Sequence, residues 1–230
     1  MFTLKGAVVN FASIVLGAGL GMLLRMGIST ACKDTIMQAM GLAVLLIGAK
    51  MAFASQNTVI VVLSLAVGAV LGEALALDRR LECFGVWLTN SVGSRFGNIG
   101  KGFVTASLVY CIGAMAIVGS IQEGLTGDAS IIYAKSLIDG TISIIFAASL
   151  GIGVMLAAVP VFIYQGTITL AAGVLQEFVT DPMLAEISGT GGVLIVAIAL
   201  NMLNLCKIKL ANLLPSLPLA AFFVWLDWFK

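Results

Sequence analysis

Long apolar stretches separated by short polar segments run the whole length of this chain. A helix needs roughly 20 predominantly apolar residues to cross about 30 Å of hydrocarbon. The pattern predicts eight membrane-spanning helices: Leu4–Leu24, Thr35–Ala54, Thr58–Leu77, Phe103–Ile121, Ser136–Ala157, Val161–Leu175, Gly191–Cys206 and Leu213–Leu226. Because Pro215 and Pro218 interrupt the last stretch, seven spans and one interfacial helix are the alternative. We therefore predict an all-α integral membrane protein, a polytopic bundle that forms a single transmembrane domain over residues 1–230.

The composition supports a membrane location. Hydrophobic residues make up 60% of the 230 residues, the mean hydropathy is +1.13, and only 10% of the residues are charged. About a quarter of the residues in an ordinary soluble domain are charged. A soluble fold with this composition could not cover its surface with polar groups, so the predicted partner is the lipid bilayer.

The residue types that are missing exclude several kinds of chemistry. The chain has no histidine, which excludes histidine-dependent catalysis and histidine-bound haem. Its formal net charge of +1 argues against a nucleic-acid partner. The four cysteines are isolated and indicate neither zinc nor redox chemistry; we expect them to be buried small apolar residues: Cys32, Cys83, Cys111 and Cys206. We predict no enzymatic activity, no cofactor and no metal centre.

The distribution of charge favours one orientation. Eight of the 12 basic residues fall on one side if every span crosses: Arg25, Lys33, Arg79, Arg80, Arg95, Lys101, Lys207 and Lys209. The opposite loops are acidic, with Lys135 as their only base: Glu123, Asp128, Glu177, Asp181 and Glu186. Cytoplasmic loops are enriched in lysine and arginine. We therefore predict that the basic side is cytoplasmic and that the N-terminus lies outside.

Residues 78–102 form the only sizeable polar segment on the predicted cytoplasmic side. Leu81, Phe84, Leu88 and Val92 recur at helical spacing within it, and arginines lie at both ends. This pattern is typical of a short amphipathic helix in the headgroup layer. A loop that packs under the bundle is the alternative.

Two parts of the chain, residues 1–77 and 136–206, indicate an internal repeat. Lys5–Gly21 aligns with Asp139–Met155, and three of the four identical positions are glycine. Four crossings separate the copies, so the repeats would run in the same direction across the membrane, as in some transporters. Chance alignment is the alternative, because glycine, alanine and leucine are so common in this chain.

Small residues recur at four-residue spacing inside two spans. They form a GxxxG pair in the first span and a ladder in the third: Gly17 and Gly21, then Ser64, Gly68, Gly72 and Ala76. Small residues allow helix backbones to approach closely in lipid, where no hydrophobic force drives association. We predict helix packing at these positions, within or between subunits, and we expect a homo-oligomer.

Polar residues at membrane depth are the candidates for binding an ion. Ionisable groups there are costly and are functional candidates by default. The candidates are Glu73 and Asp139, with the neutral groups Asn10, Gln38, Gln165, Thr167, Asn201 and Asn204. Hydrogen bonding between helices is the alternative for the neutral groups, and a helix start that accepts a carboxylate is the alternative for Asp139, which opens the fifth predicted span.

The uncharged segment from Gly140 to Gln176 is too long for one span and must turn, and we predict this turn near Ala157–Pro160. Proline there removes an amide donor and disfavours helical backbone at the preceding residue. One interpretation is a tight helical hairpin. The other is a broken or re-entrant element, which membranes tolerate only where protein or a water-filled cavity covers the backbone.

Three strings in the chain resemble the YqgA-type bacterial membrane family, domain of unknown function 554. They are KGAVVNFASIVLGAGLG, SLIDGTISIIFAASLGIGVMLAAVPVFIYQGTITLAAG and ISGTGGVLIVAIALNMLNLCKIKLANLLPSLP. The resemblance covers essentially the whole chain. It implies a multi-pass protein of the bacterial inner membrane that has been labelled a transport protein, and it brings no catalytic residues.

Short loops, a polar break and carboxylates near span ends favour a channel or small transporter for an inorganic ion. Carboxylate, amide and freed carbonyl oxygens suit cations, so a cation is preferred, although glycine-rich helix starts also attract anions. A transporter of a small organic solute is one alternative. A membrane assembly or partner protein that transports nothing is the other.

Overall fold

A computed structural model describes residues 4–25, 30–92 and 99–226. These residues contain helices and no strand. The helices are α1 Lys5–Arg25, α2 Thr30–Ala52, α3 Thr58–Ala74, α4 Leu77–Val92, α5 Ile99–Cys111, α6 Ala114–Thr126, α7 Ser130–Leu150, α8 Gly153–Leu156, α9 Ala158–Leu170, α10 Ala172–Phe178, α11 Asp181–Met202, α12 Leu210–Leu213 and α13 Ser216–Trp225.

Within the described residues, five helical segments are long and apolar enough to cross a membrane. They are Lys5–Leu24, Asp34–Ala52, Ser130–Leu150, Gly153–Leu170 and Asp181–Met202. A sixth crossing is formed if α5 and α6, which are bent by 61°, count as one span, whereas Thr58–Ala74 and Leu210–Trp225 are shorter apolar helices. The predicted class, an all-α polytopic membrane protein, is confirmed.

Two compact units alternate along the chain. Unit 1 takes in Met1–Met37, Gly85–Cys111 and Met115–Phe178, and unit 2 takes in Gln38–Phe84, Ile112–Ala114 and Val179–Lys230. The predicted repeats do not coincide with these units, because α1 belongs to unit 1 whereas α3 belongs to unit 2.

In unit 1, α1 and α7 run parallel with their backbones in close contact. A Cβ atom added to Gly17 would lie 2.2 Å from the carbonyl oxygen of Gly140, and one added to Gly21 would lie 2.1 Å from that of Ile144. Only a residue without a side chain permits this approach. Helices α1 and α7 are therefore direct neighbours in one unit, whereas the segment that the repeat aligns with α1, Asp139–Met155, runs from the middle of α7 through Gly151 into α8.

The bent pair α5 and α6 follows α7 in the opposite direction. Its contacts occur in reverse order along α7: Gly102 with Leu150, Tyr110 with Ser143, and Gly119 with Ile132. The chain bends between the two helices at Gly113, whose φ of +149° favours glycine. The fourth predicted span therefore exists as a bent element rather than a straight helix.

The turn after α7 lies at Gly151 and not near Ala157–Pro160, where the sequence predicts it. Gly151 has a φ of +85°, which suits glycine, and α8 begins two residues later. Pro160 is the third residue of α9, where a missing amide donor disrupts little. The segment that contains this proline, Gly153–Leu170, is one apolar span. It runs antiparallel to α1.

In unit 2, the second half of α2 packs antiparallel against α11. A Cβ atom on Gly48 would lie 2.7 Å from the backbone nitrogen of Val196, and one on Gly192 would lie 2.2 Å from that of Ala52. Separately, α3 packs against α12 and α13 around a core of Ile60, Ala220 and Phe223. The first contact depends on residues without a side chain, whereas the second has an apolar core.

The ladder predicted in the third span meets these neighbours directly. Ser64 is buried, Gly68 lies against the backbone of Ser216, and Gly72 lies against the carbonyl of Asn212. Ala76 does not belong to the ladder, because α3 ends at Ala74 and Ala76 is exposed in a left-handed conformation with φ +50°. Since the glycines contact their own chain, this ladder no longer argues for a second copy.

The polar segment 78–102 begins as a helix. Helix α4 covers Leu77–Val92, in agreement with the helical spacing of its apolar residues. Residues 93–98, including Arg95, lie outside the described residues, as do the side chains of Phe84, Leu88 and Val92. The structure therefore describes the helix but not the face that would lie in the headgroup layer.

The expectation that the cysteines are buried is wrong for the three whose side chains are described. Cys83 and Cys206 are exposed, and Cys111 is half-buried. The side chain of Cys32 lies outside the described residues.

Candidate functional site

Asp139 lies in the middle of α7 and not at its start, which corrects the prediction. The helix begins at Ser130, after a polar turn in which the backbone amide and hydroxyl of Ser130 donate hydrogen bonds to Asp128. These bonds lower the pKa of the Asp128 carboxyl. Asp139 is consequently the tenth of 21 helical residues, and its exposed fraction is only 4%. A helix-start role is therefore excluded for this carboxylate.

Lys135 forms an ion pair with Asp139 one turn along the same helix. The lysine is buried as well, with an exposed fraction of 7%, although its charge places it in a loop in the sequence-based topology. A charge at membrane depth is tolerated when it is paired. The pair is neutral as a whole, and this explains how α7 crosses the bilayer with two ionisable residues near its centre.

Two amides from other helices complete the site. The Asn10 side-chain amide on α1 donates to Asp139 Oδ2 at 3.0 Å and to Gln165 Oε1, on α9, at 3.2 Å. Asn10 and Gln165 are both fully buried. We call these four residues, Asn10, Lys135, Asp139 and Gln165, the polar cluster. It joins α1, α7 and α9 at the centre of unit 1.

The polar cluster has unused hydrogen-bonding capacity. Asn10 Oδ1 and Gln165 Nε2 have no partner although both are buried. The hydrogen bonds from Asn10 and Lys135 both end on Asp139 Oδ2, so Oδ1 accepts neither of them. Buried polar atoms are normally satisfied, and an exception calls for a physical cause. The unpartnered oxygen of Asn10 and the carboxylate of Asp139 are groups of the kind that coordinate cations.

One turn beyond Asp139 the cluster is bordered by a buried tyrosine. Tyr110 on α5 and Ser143 on α7 form a hydrogen bond of 2.7 Å between their hydroxyl oxygens, and both residues are fully buried. The Tyr110 ring stacks on Phe146, with ring centroids 6.5 Å apart. A buried hydroxyl pair and two stacked rings therefore border the polar cluster on that side.

Glu73 lies apart, in unit 2, at the end of α3. Its carboxylate accepts a hydrogen bond of 2.6 Å from the Asn212 amide and forms an ion pair with Lys209, with 3.1 Å between the charged atoms. The side chains of Glu73 and Lys209 are 64% and 60% exposed. An exposed pair of this kind contributes little to stability.

The other candidates from the sequence belong neither to the polar cluster nor to the contacts around Glu73. The Asn201 amide exchanges two hydrogen bonds of 2.8 Å with the backbone of Ile208 and closes the turn after α11. Asn204 follows it with a φ of +57°. Gln38 and Thr167 are exposed, and the Thr167 hydroxyl donates to the carbonyl of Ile163 in its own helix. Glu177 is exposed too.

Two buried glutamates accept hydrogen bonds at the start of α3 and of α1. The sequence-based topology misses them because it assigns both residues to loops. In unit 2, Glu186 accepts hydrogen bonds of 2.8 Å from the backbone amides of Gln56 and Asn57 and one of 2.7 Å from the Ser55 hydroxyl, just before α3. In unit 1, Glu123 accepts a single bond of 2.7 Å from the amide of Gly6, at the start of α1. Negative groups stabilise helix starts.

We expect Glu186→Ala to lower the free energy of unfolding by about 3 kcal/mol, because it removes three hydrogen bonds to a buried carboxylate, two of them from backbone amides. Glu186→Gln is the matched control. It keeps an oxygen for both amides and is expected to cost less than about 1 kcal/mol. Thermal unfolding of both variants in detergent measures the difference, and equal losses would contradict the capping role.

Among the described residues, no group of three or more cysteine, histidine or acidic side chains is arranged to hold a metal ion. The polar cluster consists of one carboxylate, one ammonium and two neutral amides.

Comparisons with known proteins identify relatives along the full length. A family model described as "Protein of unknown function (DUF554)" matches residues 5–225. The chain is 33% identical over 218 residues to "Uncharacterized membrane protein YdfK" of Bacillus subtilis (strain 168), and 92% of each protein is covered. It is 30% identical over 233 residues to "Uncharacterized protein YqgA" of Escherichia coli (strain K12), covering 97% of this chain and 98% of that protein. No solved structure matches significantly.

Proposed function

We propose that this chain, which belongs to the DUF554 family of proteins, is a membrane transport protein for a small inorganic cation. The polar cluster is the proposed binding site. The observation that carries the proposal is Asp139, a carboxylate that is buried at the middle of a membrane helix and bonded to Lys135 and Asn10. Ionisable residues at this depth mark ion pathways and proton relays.

The ion pair suggests how a cation would be held. Asp139 has a short side chain that Asn10 fixes, whereas the lysine ammonium sits on a flexible four-carbon stem. The ammonium can therefore withdraw and leave its place to another cation, while the carboxylate cannot move aside for an anion. We therefore favour a carrier, in which the lysine ammonium and the transported cation exchange at Asp139, over a permanently open channel.

The distribution of charged side chains within each unit supports the orientation predicted from the loop charges. In unit 2, Lys209 pairs with Glu73 at one end, and Glu186 lies at the other. In unit 1, Lys101 lies near the start of α5, and Glu123 lies near the end of α6. We propose a bacterial inner membrane with the basic ends facing the cytoplasm.

The polar cluster is complete within unit 1, so transport does not require residues from a second copy. The proposal therefore makes no use of the homo-oligomer expected from the sequence, and no enzymatic role is proposed.

We expect purified protein in liposomes to carry Na⁺ or K⁺ along an imposed gradient, and to carry Cl⁻ at the rate of empty vesicles. Fluxes of the three ions are measured side by side with ion-sensitive dyes, with empty vesicles as the control. Flux of Cl⁻ alone contradicts the preference for a cation. Absence of flux with every ion, in protein that is folded and inserted, favours organic solutes or an assembly role and contradicts the proposal.

A further inference from the structure

The carboxylate of Glu123 in unit 1 has one oxygen without a partner. Oε1 accepts the hydrogen bond from the Gly6 amide, but Oε2 is buried and unpartnered, and the exposed fraction of the residue is 2%. A Cβ atom added to Gly6 would lie 2.6 Å from Oε2, so this oxygen faces the start of α1. The corresponding glutamate of unit 2, Glu186, uses both oxygens and receives three hydrogen bonds. The glutamate at the helix start thus has both carboxylate oxygens bonded in unit 2 and only one bonded in unit 1.

Two more unpartnered oxygens belong to the same end of unit 1. The hydroxyls of Ser120 and Thr169 are fully buried and make no hydrogen bond. Ser120 shares a helix face with Glu123 and Gly124, since these residues are three and four positions apart. Gly124 in turn lies against the backbone of Thr169, with an added Cβ atom 2.2 Å from its carbonyl oxygen. The three oxygens without partners thus belong to α6 and α9, two helices whose backbones are in contact at Gly124 and Thr169.

Helix ends make this place attractive to positive charge. Glu123 lies in the last turn of α6 and Thr169 in the last turn of α9, and the C-terminal end of a helix favours cations. Helix starts lie at the same place, since Ile132 in the first turn of α7 contacts Gly6 and Ala172 at the start of α10 contacts Gly124, and the α1 amide at Gly6 is already bonded to the carboxylate. The nearby Asp128 carboxylate is occupied by Gln122 and Ser130, and Lys135 is paired with Asp139.

We propose that Glu123, Ser120 and Thr169 form a second cation-binding site, distinct from the polar cluster, that takes one monovalent cation such as Na⁺. The ligands are the free carboxylate oxygen and the two hydroxyl oxygens. All three are hard oxygen donors, the class that binds such ions. One carboxylate balances one positive charge, whereas a divalent ion would leave an excess charge in a buried place.

The test measures thermal unfolding of the full chain in detergent at fixed pH and ionic strength, with NaCl or KCl replaced stepwise by choline chloride. We expect a saturable rise in the unfolding temperature with one of the two inorganic cations. Glu123→Gln, Thr169→Val and Ser120→Ala should each weaken the apparent affinity at least tenfold. The two hydroxyl variants keep the cap on α1, so they remain informative if Glu123→Gln folds poorly.

Two control variants distinguish this site from the cap in unit 2 and from the polar cluster. Glu186→Gln changes the equivalent cap in unit 2 and should leave the cation effect intact. The double variant Lys135→Met with Asp139→Asn removes the charges of the polar cluster and should leave it intact as well. Because the polar cluster is itself proposed to bind a cation, each of the three site substitutions is also combined with the double variant. A rise that persists in these combinations, or that is already lost in the double variant, overturns the proposal. So does a wild type whose stability follows pH alone and not the cation.

Discussion

Replacing Asp139 with asparagine should lower the free energy of unfolding by about 3–5 kcal/mol, the range typical of removing one partner of a buried ion pair. The reason is the lysine that stays behind. Lys135 is buried on the same helix, and in the variant its ammonium has no countercharge. The loss is measured by thermal or denaturant unfolding of the purified variant in detergent.

A second substitution distinguishes the lost pair from a general effect of changing Asp139. Adding Lys135→Met to Asp139→Asn removes the unpaired charge and fills a similar volume, so we expect most of the lost stability to return. Asn10 keeps an acceptor in the double variant, because asparagine retains one side-chain oxygen. If the two substitutions simply add, then the ion pair does not explain the cost.

Introducing a methyl group at Gly17 or Gly21 should separate α1 from α7. Each new Cβ atom would lie 2.2 Å or less from a backbone carbonyl oxygen, a contact that forces the helices apart. We expect Gly17→Ala and Gly21→Ala each to cost about 1–3 kcal/mol, the usual range for an overfilled core. Because Asn10 and Asp139 lie on these two helices, the distance between them should increase and ion flux should fall with stability.

Gly19 provides the matched control on the same helix. A Cβ atom there would lie 3.8 Å from the terminal methyl of Met155, an ordinary contact. Gly19→Ala should therefore leave the unfolding temperature unchanged or raise it, since alanine favours a helix by up to about 1 kcal/mol over glycine. Equal destabilisation at Gly17 and Gly19 would show that helix propensity, and not the contact with α7, controls the result.

The sequence identifies three of the four residues in the polar cluster but not their arrangement. Asn10, Asp139 and Gln165 stand out because polar groups are rare in apolar spans. The fourth, Lys135, is missed because the fifth span predicted from the sequence begins at Ser136 and leaves the lysine in a loop, although the longer stretch Ser130–Leu150 is apolar enough to cross a membrane. The structure shows one neutral pair, and the helix consequently starts at Ser130 and not at Ser136.

The buried glutamates are missed for a related reason. Glu123 and Glu186 each meet a helix start that is distant in the sequence, 117 residues away for Glu123 and 130 for the Gln56 amide that bonds to Glu186, so no local pattern signals the partner. The turn at Gly151 is missed because Pro160 is the stronger break signal, although proline is tolerated in the first turn of a helix. The glycine spacing in α1 and α3 indicates close packing but cannot say against which helix.

The most direct measurement compares cation flux in liposomes that contain either the wild type or the double variant Lys135→Met with Asp139→Asn. The two proteins should have similar stability, so a difference in flux reports on the polar cluster and not on folding. We predict selective Na⁺ or K⁺ flux through the wild type and the rate of empty vesicles for the double variant. Equal flux through both proteins would contradict the assignment of Asp139 as the cation-binding group.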